Sequence, residues 1–154
     1  MKRATLFFLL AFLWAAAPAA GQTIALGERA PELKVQAWLA EQRPADAPLT
    51  YIEFFHSSNK VSLSSIERLA ELSARMGTGL RIVILAHEPQ SRIGPLLAPY
   101  LSPQIGVGLD PTGKLFAAYG VNYVPFGVLL GPRNRVRWMG NTLQLTPEII
   151  ENSK

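Results

Sequence analysis

The stretch Tyr51-Ile-Glu-Phe-Phe-His-Ser-Ser-Asn-Lys-Val-Ser62 contains a change of hydrophobic pattern. Its first half belongs to Leu49–Phe55, where Tyr51, Ile52, Phe54 and Phe55 are strong β-formers, and predicts a buried strand. The polar triplet His56-Ser57-Ser58 follows. From Lys60 to Met76 the apolar residues Val61, Ile66, Leu69, Leu72 and Met76 recur mostly every three or four positions, the period of a helix with one buried face. Asn59 is placed to cap that helix, Ser64 with Glu67 offers a capping box, and Gly77 or Gly79 ends it. Leu80-Arg-Ile-Val-Ile-Leu-Ala86 then reads as a strand covered on both faces, as in a parallel sheet. Strand, helix and strand make a βαβ unit.

Working outward, residues 22–33 read as an extended lead-in with turns at Gly27 and Pro31, and Leu33–Trp38 as a first strand. Glu41–Pro48 is polar and rich in Pro and Ala, the composition of a loop. Beyond Ala86, Ser91–Leu101 predicts a helix interrupted by Pro95 and Pro99, and Ile105–Leu109 a short strand. Asp110-Pro-Thr-Gly113 is a turn leading to a short helix at Lys114–Tyr119. Phe126–Leu130, the turn Gly131-Pro-Arg-Asn134 and Arg135–Met139 form a hairpin, and Thr146 caps a last helix. The order is β-α-β, an α-rich insertion, then β-β-α.

A chain of 154 residues, 49% of them apolar, has room for one domain with a real core. At its start, Met1-Lys2-Arg3, the apolar run Ala4–Ala17 and Ala17-Pro18-Ala19-Ala20-Gly21-Gln22 follow the pattern of a secretory signal peptide. This predicts a signal over 1–21, a domain over 22–154, and a periplasmic or secreted bacterial protein. The run is short for a membrane span, which needs roughly 20 apolar residues. Contact with a membrane is therefore expected only if this segment stays uncleaved. No cysteine follows it, which excludes a lipoprotein anchor.

Without Lys2 and Arg3 the formal charge of +4 falls to +2 (4 − 2), which gives no support to a nucleic-acid partner. Arg133, Arg135 and Arg137 would share one face of a strand, a solvated hairpin face. The chain has no cysteine, so no disulfide or thiolate ligand is possible. Its two histidines lie far apart in sequence, and neither a metal nor another cofactor is expected.

Several local patterns, taken in order, resemble the thioredoxin superfamily, and within it the exported TlpA-like/redoxin branch. They are Leu26-Gly27-Glu28-Arg29-Ala30-Pro31-Glu32-Leu33, Glu53-Phe54-Phe55-His56-Ser57-Ser58-Asn59, Leu109-Asp110-Pro111-Thr112-Gly113, Tyr119-Gly120-Val121, Val124-Pro125 and the Gly131–Gly140 hairpin. The resemblance covers roughly Ile24 to Asn152. It implies an α/β, three-layer sandwich with a central mixed sheet flanked by helices. It also implies thiol–disulfide chemistry at a Cys-x-x-Cys loop, and here that loop reads Asn59-Lys60-Val61-Ser62. Exchange needs a thiolate attacking a disulfide sulfur, which neither Asn nor Ser provides. By the same resemblance the Val124–Pro125 bond is cis, and Glu53 is a buried acid beneath the loop, the family's proton relay. Ser65 stands where some reductases of the branch carry a second acid.

These readings predict a redox-inactive module that binds a protein or peptide segment through Asn59, Lys60, Val61, Ser62, Val124, Pro125 and Phe126. Backbone pairing to an extended peptide gives affinity without chemistry. Two alternatives accompany it. One is a disulfide reductase by descent. The other is a hydrolase using Ser62 with His56 or His87, which share a sheet edge with Glu88. No Gly-x-Ser-x-Gly elbow supports the second alternative. Lys60, beside helix N-terminal N–H groups, is a candidate for attracting an anion. Trp38, Trp138 and Phe126 read as packing residues.

Overall fold

The computed structural model describes residues 24–154, so the signal segment expected over 1–21 lies outside it. The elements in chain order are β1 (Ala37–Trp38), β2 (Leu49–Phe54), α1 (Lys60–Met76), β3 (Leu80–Ala86) and α2 (Gln90–Leu97), then β4 (Ile105–Leu109), α3 (Lys114–Ala118), β5 (Phe126–Leu130), β6 (Val136–Gly140) and α4 (Pro147–Glu151). Six strands form one sheet in the order β1-β4-β3-β2-β5-β6. β4, β3 and β2 run parallel, while β1, β5 and β6 pair antiparallel to their neighbours. Among the described residues no helix is long and apolar enough to cross a membrane.

Successive side chains of a strand point to opposite faces, and this alternation divides the core into two. Leu49, Tyr51 and Phe55 of the β2 segment and Leu80, Ile82 and Ile84 of β3 face Ile66, Leu69 and Leu72 of α1, Ile93 and Leu97 of α2, and Ile150 of α4. Ile52, Phe54, Val83 and Leu85 face the other way, toward Leu115 and Tyr119 around α3 and Ile24 and Ala30 of the lead-in. The result is the expected three-layer mixed-sheet sandwich.

Some boundaries differ from the expectation. The first strand is only Ala37–Trp38, because Leu33 and Val35 pack on the face of the sheet. A Cβ added to Gly108 would come to 3.0 and 3.1 Å from the two Val35 methyls, so the chain crosses there on a bare glycine. α2 runs through Pro95, and the chain then tightens into a 3-10 turn, Ala98–Tyr100, around Pro99. Asn59 alone caps α1, its Oδ1 accepting the Val61 N–H at 2.9 Å, while Ser64 and Glu67 lie inside the helix.

The three arginines do not share a strand face. Leu129 pairs with Trp138 but Leu130 with Val136, so the ladder bulges at Arg137. Arg133 sits in the preceding turn at φ 59°. Arg135 reaches back to donate to the Gly27 carbonyl at 2.8 Å.

Candidate functional site

The C-terminal ends of β2 and β3 open onto one edge of the sheet. The loop 55–59, the start of α1, His87-Glu88 and the segment 119–125 gather there. The Val124–Pro125 peptide is cis. Asn59 joins two of these segments with one side chain. Its Oδ1 caps α1, and its Nδ2 donates to the Val124 carbonyl at 2.7 Å. A hydrogen-bonding amide thus ties the helix start to the backbone before Pro125.

Beneath the loop lies a closed polar cluster. Glu53 is fully buried on β2. Its partners are Ser65 and Thr142, rather than the Ser62 or Lys60 that its place beneath the loop suggests. Tyr51, two residues earlier on the same face, reaches Thr142 Oγ1 with its hydroxyl at 2.8 Å. Gly127 makes this possible, since a Cβ there would lie 1.9 Å from the Tyr51 oxygen.

The contacts in the cluster accommodate a protonated Glu53. Ser65 Oγ lies 2.7 Å from both Glu53 Oε1 and the Ser62 carbonyl oxygen, yet a hydroxyl has one proton to donate. If Ser65 gives it to the Ser62 carbonyl, Glu53 must be the donor to Ser65. Tyr51 then donates to Thr142, and Thr142 to Glu53 Oε2. With Glu53 as a neutral acid, both contacts of Ser65 Oγ and the Tyr51–Thr142–Glu53 chain are satisfied together. Burial acts in the same direction, pushing its carboxyl up to about 8 against the opposing hydrogen bonds from Thr142 and Ser65.

Ser62, the proposed nucleophile of the hydrolase alternative, is fully buried and its Oγ has no hydrogen-bond partner. It bonds to neither histidine, so the pair expected of Ser62 with His56 or His87 does not form. The two histidines do come together, with ring centroids 5.4 Å apart, and His87 packs edge-on against Phe116 at 4.7 Å. Glu88, 8% exposed, accepts hydrogen bonds from the Ser57 N–H at 2.8 Å and from the Ser57 hydroxyl. Although desolvation opposes it, these bonds and the nearby His56 hold the Glu88 carboxyl below its usual range.

Lys60 and Val61 are exposed at the helix start, while Val124 and Phe126 are half-buried and Pro125 is buried. Phe126 meets Tyr123 edge-on at 5.4 Å. Four large apolar side chains are exposed among the described residues, and Val61, Tyr123 and Leu143 are three of them. Val61 lies in the first turn of α1, Tyr123 before Pro125, and Leu143 next to the Thr142 that bonds to Glu53. A recess of about 200 Å³ opens beside Val124, walled by His56, His87, Phe116 and Tyr123.

This frame is shared with solved structures. A candidate protein disulfide isomerase from Bacteroides thetaiotaomicron superposes with TM-score 0.69 at 12% identity, over 84% of this chain and 87% of that one. A thioredoxin-like protein in its oxidised form superposes with TM-score 0.68 at 17% identity, over 85% and 100%. The fold is thioredoxin-like. A candidate thiol:disulfide interchange protein DsbE from Chlorobium tepidum shares this thioredoxin-like fold, with TM-score 0.62 at 17% identity, over 84% and 93%. No family model and no curated protein matches the sequence. At these identities the likeness establishes the fold, and the chemistry must come from the residues present. A thioredoxin-like site without cysteine has no thiolate of its own with which to attack a disulfide.

Proposed function

We propose that this chain is an exported, redox-inactive thioredoxin-like module that binds an extended polypeptide segment over its former active-site edge. Export rests on the basic, apolar and small-residue pattern of residues 1–22. Redox inactivity rests on Asn59 and Ser62 at the two sulfur positions. The observation that carries the binding reading is the exposure of Val61 and Tyr123 on the two segments that Asn59 ties together, the start of α1 and the backbone before Pro125. Exposed apolar side chains scattered singly need no explanation, whereas a group of them marks an interaction surface. Asn59 supports the reading by holding the Val124 backbone in place, which lowers the ordering cost of docking.

A random-peptide library displayed on phage and selected against the purified domain tests this. Selected peptides are expected to lose at least about tenfold in affinity for Tyr123→Asp and Val61→Asp, since each variant places a charge on the apolar surface. Equal binding to wild type and both variants would overturn it. An insulin-reduction assay with dithiothreitol is expected to show no rate above buffer, and clear turnover would contradict redox inactivity.

A further inference from the structure

Ser58, His56 and Glu88 lie in a row on the exposed side of this edge, separate from the buried Ser62. Ser58 Oγ is 2.8 Å from His56 Nδ1. The Ser58 N–H also donates to Nδ1, at 3.2 Å. A nitrogen that accepts an N–H carries no proton of its own, so in the neutral ring the proton sits on Nε2. Nε2 faces Glu88 Oε1 at 3.9 Å, an electrostatic contact with a buried side chain. Ser57 fixes that carboxylate with two hydrogen bonds. The tautomer is therefore the one a base needs, with a lone pair toward the serine hydroxyl and an N–H toward the anion.

We propose that Ser58, His56 and Glu88 form an acyl-transfer site that hydrolyses small esters with an apolar or aromatic acyl group. Ser58 Oγ attacks the ester carbonyl carbon as its proton passes to His56 Nδ1. The tetrahedral adduct collapses, the bond to the leaving oxygen breaks, and His56 returns the proton to the departing alcohol. Water, losing a proton to Nδ1, then attacks the acyl–Ser58 carbon. The second adduct collapses, the bond between the acyl carbon and Ser58 Oγ breaks, His56 returns its proton to Oγ, and the carboxylic acid leaves. Glu88 is a positioning residue that orients His56 and balances the imidazolium.

The recess of about 200 Å³ shares His56 as a wall and presents Phe116 and Tyr123 to the acyl group. α1 begins at the exposed Lys60, two residues after Ser58, so the positive end of its dipole follows the attacking residue closely in the chain. None of this depends on the peptide-docking reading.

Hydrolysis of p-nitrophenyl butyrate by the purified domain tests it, together with mass-spectrometric mapping of a fluorophosphonate probe. Saturable turnover is expected, with kcat falling by at least about 100-fold for Ser58→Ala and for His56→Ala. Glu88→Gln should lower kcat at unchanged KM, and Tyr123→Ala should raise KM at unchanged kcat. The probe should label Ser58. A wild-type rate no greater than that of free imidazole, an undiminished rate in Ser58→Ala, or labelling of a different serine would overturn the proposal.

Discussion

Asn59 and Ser62 bound one four-residue segment but carry different energies. Asn59 uses both ends of its amide, as helix cap and as tether to Val124. Removing a cap costs about 1 kcal/mol, and losing a second hydrogen bond adds about 1 kcal/mol. Asn59→Ala is therefore expected to cost about 2 kcal/mol in chemical denaturation. Asn59→Ser, which keeps a capping oxygen but cannot reach Val124, should cost about half of that.

Ser62 behaves in the opposite way. Its buried hydroxyl is unpaired, a burden of about 1–3 kcal/mol, so Ser62→Ala should leave stability unchanged or raise it by about 1 kcal/mol. A loss larger than that for Asn59→Ala would show that the Ser62 hydroxyl is paired after all.

The relevant element is β2, together with the groups that close over Glu53. The Glu53 pKa is raised from 4.5 to about 8 in the folded chain, chiefly by burial. The folded state thus holds this proton more tightly than the unfolded state does. The resulting stabilisation is fully present below about pH 4.5 and is lost as pH rises through about 8. Wild-type stability should fall across that interval in urea titrations. Gln matches the neutral acid, donating to Ser65 and accepting from Thr142. Glu53→Gln should therefore stay near wild type at pH 5, flatten the fall, and exceed wild type at pH 9. An equal fall in both proteins would place the proton elsewhere.

The same element shows how far sequence reaches. β2, β3 and β5 are readable because each is mostly apolar, broken only by Thr50 and Glu53 in β2 and by Arg81 in β3, and a fully covered strand requires that composition. Glu53 stood out as an acid within such a run. Its partner Thr142 did not, because the contact spans 89 residues and depends on the turn after β6 and on the space left by Gly127.

For the whole molecule, the βαβ unit of β2, α1 and β3 and the β5–β6 hairpin are visible in the chain, whereas the full order of strands in the sheet is not. Nor are the extent of β1 and the bulge at Arg137. Leu33 and Val35 alternate as a strand would while packing on a face, and nothing local marks the skipped residue of a bulge. The hydrolase alternative went astray for a related reason. Motif position pointed to Ser62, but the helix start turns that side chain inward and leaves Ser58 beside His56.

At this scale the central claim is that a thioredoxin-like frame without cysteine still presents one docking edge. Amide chemical-shift mapping of the domain with a display-selected peptide tests it most directly. Shifts concentrated at Asn59–Ser62, Tyr123–Phe126 and Leu143 are predicted. Shifts that spare these residues and cluster at another face, such as the β1 edge of the sheet, would contradict it.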